Sequence, residues 1–299
     1  MGIENILAHI HEPASRVQPL VSQPPIKNRF RDKYSFANIN LLGRCNADCY
    51  FCLGKDIKTE LADQNQLQVP YSQWQNFERF LMVCEGCGVK KLYITGQTAD
   101  GLQYKYLDEL VDYLQNKGFV VGVRTNGYLA LNKMATIRKM KDEIGYSIHT
   151  LNTITNKIIM GVEKIPDWDK IIPLSGDNVR IAIVLNRYNI NEFDDIVKYV
   201  SKFSNVKYIQ VRRISTDTRL DELSEDIQLF EKFFNAFHEG KKEVGKFCLA
   251  PSYELYGKQI SFWRTIETSC NSLNYFTDGT CSDEYFVVEG YLKYCRRSG

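Results

Sequence analysis

No stretch of this 299-residue chain is apolar for long enough to cross a bilayer as a helix. Surplus charge is equally scarce. Thirty-eight Lys and Arg stand against 36 Asp and Glu, a formal net charge of +2, which predicts no general attraction to nucleic acid or anionic membrane. A basic stripe that would favour RNA is also missing. The start, Met1-Gly2-Ile3-Glu4-Asn5, lacks the basic-then-apolar order of a secretory signal. Ile6 stands where N-myristoylation of Gly2 would need Ser or Thr. No internal repeat recurs at a fixed period. What is present is ordinary for a globular protein, 44% hydrophobic and 25% charged residues. The length suits one large α/β domain or two small ones.

Nine cysteines are the departure from the ordinary. Without a signal segment they read as reduced thiols, some of them metal ligands, in a reducing cytoplasm. Three fall within eight residues, Cys45, Cys49 and Cys52, just after an apolar-leaning run from Tyr34 to Leu42 that reads as a strand. A loop this tight turns three thiolates toward one place, which suits a soft metal centre. Zinc in a closed structural site wants a fourth ligand nearby. An iron–sulfur cluster normally takes four thiolates, so three leave one iron open to chelate and reduce something else.

This Cys-x3-Cys-x2-Cys loop, with aromatic Phe51 directly before the last cysteine, resembles the signature of radical S-adenosylmethionine enzymes. The resemblance implies one 4Fe-4S cluster on Cys45, Cys49 and Cys52, whose open iron binds the amino and carboxylate groups of S-adenosylmethionine. One electron then splits the sulfonium, and a 5′-deoxyadenosyl radical takes hydrogen from a substrate. It also implies a flavodoxin- or ferredoxin-type electron donor.

Residues 1–33, with Pro13, Pro19, Pro24 and Pro25, read as an extended arm, with one short helix near Ile3–His11. His9 and His11 read as surface residues. Gly54–Pro70 is a polar flap over the loop. Periodicity then predicts a helix at Tyr71–Cys87 capped by Ser72, with Trp74, Phe77, Phe80 and Leu81 on one face. Strands follow at Lys91–Thr95, Phe119–Thr125, Gly145–His149, Val179–Leu185 and Val206–Ile214. Helices are predicted between them at Tyr106–Asn116, Leu131–Lys141, Trp168–Pro173 and Asn191–Phe203. Strands alternating with helices describe an α/β fold with a parallel sheet, curled by right-handed crossovers. The family uses a partial TIM-like barrel of six βα units, and residues 34–220 fit that count. Residues 221–299 form an extension, starting with a helix at Glu222–Phe237. Its aromatic residues, Tyr253, Tyr256, Phe262, Trp263, Tyr275, Phe276, Tyr285, Phe286, Tyr291 and Tyr294, are expected to cap the barrel and keep water from a reactive radical.

Active groups of parallel barrels sit after the C-terminal strand ends. After the second strand, Gly96-Gln97-Thr98-Ala99-Asp100 stands where the family usually has Gly-Gly-Glu-Pro. Only Gly96 matches. Gly96, Gln97 and Thr98 are therefore assigned to the ammonium end of S-adenosylmethionine, with Asp100 as a source of charge. Thr125 and Asn126 close the third strand at a position resembling the family's polar ending. Ser147 and His149 share one face of the fourth strand and match the ribose or carboxylate site. Asn186 matches the fifth-strand position, the backbone near Val211 the adenine shelf, and Arg212 a partner for a cofactor carboxylate or an anionic substrate. Of neighbouring Arg212 and Arg213, one must point outward. Cys84 and Cys87 read as packed thiols. Cys248, Cys270, Cys281 and Cys295 match no auxiliary-cluster spacing, so one cluster is expected. No leader-binding or cobalamin-binding domain is recognisable. The substrate is then a peptide side chain, a small metabolite or a nucleoside, and no residue is assigned to the hydrogen transfer itself. The alternative is a non-catalytic barrel using a cluster or zinc as a staple.

Overall fold

A computed structural model describes residues 34–57, 64–216, 218–247, 249–264 and 271–283. The expected arm, His9, His11, part of the flap, Cys248, Cys270, Cys295 and the last four of the listed aromatics lie outside those residues.

The first six strands are β1 (Phe36–Leu41), β2 (Lys91–Gly96), β3 (Val120–Thr125), β4 (Ile144–Ser147), β5 (Val179–Val184) and β6 (Val206–Arg212). They pair in sequence order and in parallel. The helices are α1 (Phe77–Gly86), α2 (Leu107–Asn116), α3 (Met134–Lys139), α4 (Thr153–Met160), α5 (Trp168–Leu174), α6 (Phe193–Ser201) and α7 (Leu220–Gly240). One cavity is lined by side chains of β1, β2, β3, β5 and β6 together with the residue preceding β4, which only a curled sheet brings together. The architecture is an α/β partial barrel of the TIM type.

The described part of the extension joins the sheet. Its strands are β7 (Gly245–Phe247), β8 (Ala250–Leu255), β9 (Lys258–Trp263), β10 (Ser272–Phe276) and β11 (Cys281–Ser282). β9 pairs in parallel with β6, and β10 in parallel with β1, so the extension widens the sheet at both edges. β11 and the β8–β7 ribbon close the flanks with antiparallel pairs. Aromatics from the extension serve two places. Tyr275 packs against Trp74, Phe77 and Phe80 of the first helical segment, and Tyr253 and Phe262 pack against Phe237 of α7.

The two faces of the strands differ in kind. Ala37, Ile39 and Leu41 of β1, Ile181 and Ile183 of β5, and Ile209 and Val211 of β6 are buried in one apolar core with the helices. The alternating positions are Asn38, Asn40, Arg180, Gln210 and, on the added strands, Ser261 and Asn274, all buried. Strands of a parallel sheet covered on both sides usually read as continuous apolar runs. Here the inner face is polar, and a buried polar face costs free energy unless its groups are used.

Two helical segments differ from expectation. The segment expected as one helix from Tyr71 breaks into a single 3-10 turn, Tyr71–Gln73, and α1. Asn76, with φ 58, sits in the left-handed region at the break and caps α1, so Ser72 does not. The expected face survives, since Trp74, Phe77, Phe80 and Leu81 are all buried. Helix α4 was not expected. Its Thr-Ile-Thr opening is β-branched and a weak helix former, but Asn152 accepts from the backbone of Ile154 and Thr155 and supplies a good N-cap.

Candidate functional site

The loop from Gly43 to Cys52 leaves the C-terminal end of β1 and carries three free, half-buried cysteines. Burial pushes the Cys45 thiol up to about 12, and it raises Cys49 and Cys52 as well. The neighbouring thiols add to the shift at Cys45 and Cys49, so the three stand close enough to feel one another's charge. Among the described residues, no three His, Cys, Asp or Glu converge on one metal-ion position. A cubane cluster needs no such convergence, because each thiolate ligates a different iron. The donor set of three thiols fits that group better than a single zinc ion.

Four elements hold the loop. The first is the C-terminal end of α4, whose carbonyls at Ile159 and Met160 accept from the N–H groups of Tyr50 and Asp48, at 3.1 and 2.8 Å. Met160 Sδ lies 3.3 Å from Cys49 Sγ. Gly161 ends α4 at φ +68, and a Cβ there would meet that of Asp48 at 3.0 Å, so only glycine both turns the chain and admits the loop. The second is Arg219, just before α7. Its guanidinium donates to the carbonyls of Tyr50 (2.7 Å) and Cys52 (2.8 Å) and to Asp56 Oδ1 (2.6 Å). The Asp56 side chain is fully buried and also accepts from Thr216 Oγ1. Nothing in the sequence pointed to Arg219, because the contact spans more than 160 residues and carries no local spacing.

The third support is Asn126. Its Nδ2 donates to Asn46 Oδ1 at 2.8 Å and lies 3.8 Å from Cys45 Sγ, within sulfur hydrogen-bond range. The fourth is His149, whose ring meets Phe51 edge-on at 5.2 Å between centroids. His149 lies just past β4 and is buried. Its Nδ1 accepts from the Val184 N–H, at 3.1 Å. Burial, and secondly the charge of Arg212, lower its pKa to about 3, so the ring is neutral with its proton on Nε2. Ser147 lines the same small cleft as Asn126, His149 and Met160.

At the turn after β2, a Cβ on Gly96 would meet the Ala99 carbonyl oxygen at 1.7 Å, so the tight backbone requires glycine. Thr98 Oγ1 accepts from the Gly43 N–H, tying the turn to the cysteine loop. Gln97 is buried, and its Nε2 has no hydrogen-bond partner among the described residues. A side-chain amide of this kind can be turned to donate or to accept. The Asp100 carboxylate takes the Leu102 N–H, the Thr125 hydroxyl and the Asn126 N–H, at 2.9, 2.7 and 2.6 Å. Those bonds consume Asp100 in the capping of Gly101–Gln103, against the expectation that it supplies charge to a ligand. They also commit Thr125, whose hydroxyl positions Asp100 and accepts from Gly127.

Asn186 is fully buried, with its side chain donating to the Val184 carbonyl and accepting from the Tyr188 N–H. Val211 departs from expectation. It is fully buried on the apolar face, and β6 is paired with β5 on one side and β9 on the other, so its backbone belongs to the sheet rather than to an adenine shelf. Arg212 points to the inner face and Arg213 outward, where Arg213 Nη1 pairs with Glu231 at 2.7 Å.

The sequence model of the Radical SAM superfamily matches residues 39–200 of the chain. An S-adenosylmethionine-dependent nucleotide dehydratase of a Thermoplasmatales archaeon (strain ISO4-H5) is 21% identical over 237 residues, covering 77% of this chain and 80% of that protein. Among solved structures, Streptococcus suis SuiB bound to S-adenosylmethionine is similar in fold. It has a TM-score of 0.55 and 15% identity over 83% of this chain and 60% of SuiB. SuiB bound to its precursor peptide SuiA gives a TM-score of 0.53 and 17% identity, over 84% and 60%.

Proposed function

The chain belongs to the radical S-adenosylmethionine superfamily of enzymes, and on that premise we propose that it cleaves S-adenosylmethionine reductively and abstracts hydrogen from an organic substrate. Membership in an enzyme superfamily sets aside the reading of a non-catalytic barrel with a metal staple. Cys45, Cys49 and Cys52 would hold a 4Fe-4S cluster, which would supply the electron for reductive cleavage of S-adenosylmethionine. A ferredoxin- or flavodoxin-type protein is the proposed source of that electron.

The observation that carries this reading is the cysteine loop itself, fastened at the C-terminal rim beside an orphaned Gln97 amide. The loop is held on both sides of its cysteines, by α4 and by Arg219, and fixed thiols spare a cluster the ordering cost. Asn126 orients Cys45. Phe51 packs edge-on against neutral His149. Gly96 lets the turn after β2 fold tightly onto Ala99, and Gln97 offers an amide to the charged methionine end of S-adenosylmethionine. Thr98 holds that turn against Gly43. Ser147 and Asn186 stand at the ends of β4 and β5 as candidates for polar contacts with the cofactor. The nucleotide named for the archaeal relative makes a nucleotide or similar metabolite one substrate candidate. The peptide bound by SuiB makes a peptide side chain the other.

Anaerobic reconstitution with iron and sulfide should load one cluster per chain. Dithionite and S-adenosylmethionine should then yield 5′-deoxyadenosine. Cys45→Ala, Cys49→Ala and Cys52→Ala should each abolish both. Purification with zinc in place of iron, or cluster loading without 5′-deoxyadenosine, overturns the proposal.

A further inference from the structure

The inner face of the sheet encloses a cavity of about 340 Å³ that runs from the N-terminal ends of β1, β2 and β5, at Phe36, Lys91 and Arg180, up to Arg124, Arg212 and Trp263 near the C-terminal ends of β3, β6 and β9. Lys91, Arg124, Arg180 and Arg212 line it, and Glu143 is the one carboxylate in its lining. Lys91 and Arg180 each form an ion pair. Lys91 pairs with Asp142 at 3.4 Å, and Arg180 pairs with Glu143 at 2.7 Å. Tyr208 Oη also donates to Glu143, at 2.6 Å, so that carboxylate is taken.

Arg124 has no carboxylate partner among the described residues. Its Nη1 donates to Asn38 Oδ1 at 3.3 Å, and its Nε is buried without an acceptor. The rings of Phe36 and Tyr93 flank its guanidinium, 5.1 and 4.6 Å away, and fix its plane. A desolvated guanidinium without a counter-ion costs several kcal/mol. Burial, and then the nearby Arg180, push Arg124 below the usual arginine value, and the charge of Glu143, which is already paired with Arg180, only partly opposes them. The fold orders this cation, aims it into a cavity and leaves it short of an anion.

Position ties the cavity to the site above. Arg124 precedes Asn126 by two residues, roughly 7 Å of strand, and Asn126 reaches Cys45. Arg212 and Trp263 line the cavity at the C-terminal ends of β6 and β9, and the charge of Arg212 is felt by His149, which touches Phe51. Tyr208, Phe247 and Trp263 form an aromatic wall.

We propose that this cavity is the substrate site and that the substrate carries an oxyanion, a phosphate ester or a carboxylate, held by Arg124 with its body directed along the aromatic wall toward the cysteine loop. The inference rests on the proposed radical chemistry and chooses between its substrate candidates: a small anionic metabolite rather than a neutral peptide side chain. A guanidinium fork matches both oxyanions in bidentate geometry, so the two sources are separated by experiment.

The cluster-loaded protein is titrated calorimetrically with inorganic pyrophosphate and, separately, with citrate. Arg124→Gln should weaken the bound anion about tenfold or more, the scale of a lost charge-assisted pair. Arg138→Gln, a charge removed from the exposed face of α3, should leave it unchanged. Gln210→Glu provides a test that does not depend on removing Arg124. Gln210 already accepts from Arg180, so the isosteric carboxylate keeps that bond, supplies the missing negative charge and should compete with the anion. Binding of pyrophosphate but not citrate assigns a phosphate ester, and the reverse assigns a carboxylate. Absence of binding by either anion, or equal binding by wild type and Gln210→Glu, overturns the inference. Iron content and 5′-deoxyadenosine from the same wild-type sample report separately on the radical chemistry, so failure of one is not mistaken for failure of the other.

Discussion

Replacing Arg219 with methionine keeps most of the side-chain volume and removes every hydrogen bond that the guanidinium makes. The carbonyls of Tyr50 and Cys52 lose their donor, and the fully buried Asp56 side chain loses its paired cation while keeping the Thr216 hydroxyl. Removing one partner of a buried ion pair costs about 3–5 kcal/mol, because the other charge stays behind in low dielectric. The lower end of that range, at roughly 1.4 kcal/mol per tenfold, is about a hundredfold rise in the open population of the cysteine loop. The assay is the rate at which reconstituted protein gives up iron to excess chelator. It tracks loop opening when closing is faster than capture. Arg219→Met should release iron about a hundred times faster than wild type. The double variant Arg219→Met, Asp56→Asn should recover part of the global stability, since the buried charge is gone, but little of the iron retention, since the two carbonyls still lack a donor. A wild-type release rate in Arg219→Met would refute the argument that this arginine clamps the loop.

Three further outcomes are expected. Gly96→Ala places a methyl group 1.7 Å from a backbone oxygen that cannot swing aside, so unfolding free energy should drop by about 3 kcal/mol or more. A denaturation midpoint within error of wild type contradicts this. His149 has a folded pKa of about 3 against an ordinary 6.5. The folded protein therefore binds fewer protons than the unfolded chain below pH 6.5, and stability falls with pH by about 1.4 kcal/mol per unit down toward pH 3. His149→Phe should start lower at pH 7.5, because the Val184 N–H loses its acceptor, and then show a shallower loss between pH 6.5 and 5. Parallel urea-midpoint curves for the two proteins would exclude the linkage. Asn126→Ala removes a donor from Cys45 Sγ, so electron density on that sulfur rises and the midpoint potential of the cluster should move negative. An unmoved potential in an electron paramagnetic resonance titration counts against the contact.

Much of the site was legible from its spacing. Cys45, Cys49 and Cys52 are local in sequence, so the pattern alone assigned them to one centre. Gly96 and Asn126 were placed by a rule about strand ends, which needs only the order of strands and helices. The alternation of β5, Val179-Arg180-Ile181-Ala182-Ile183, and of β6, Ile209-Gln210-Val211-Arg212, was equally visible. It marks one polar and one apolar face, and only the curl of the sheet reveals that the polar face encloses a cavity. Asp100 shows the opposite limit. In a string of residues it is a spare carboxylate near a ligand turn, but in space three donors consume it.

The sequence by itself determined what short-range physics can specify: the thiol spacing, the period of most helices and strands, and the residues at the strand ends. Tertiary structure alone decided that β10 joins β1, β9 joins β6, α4 and Arg219 grip the cysteine loop, and Arg124 makes no direct ion pair among the described residues. Each of these is a pairing between groups far apart along the chain. Local propensity carries no information about such partners, since their free energy appears only once the intervening chain has folded and water has been excluded between them.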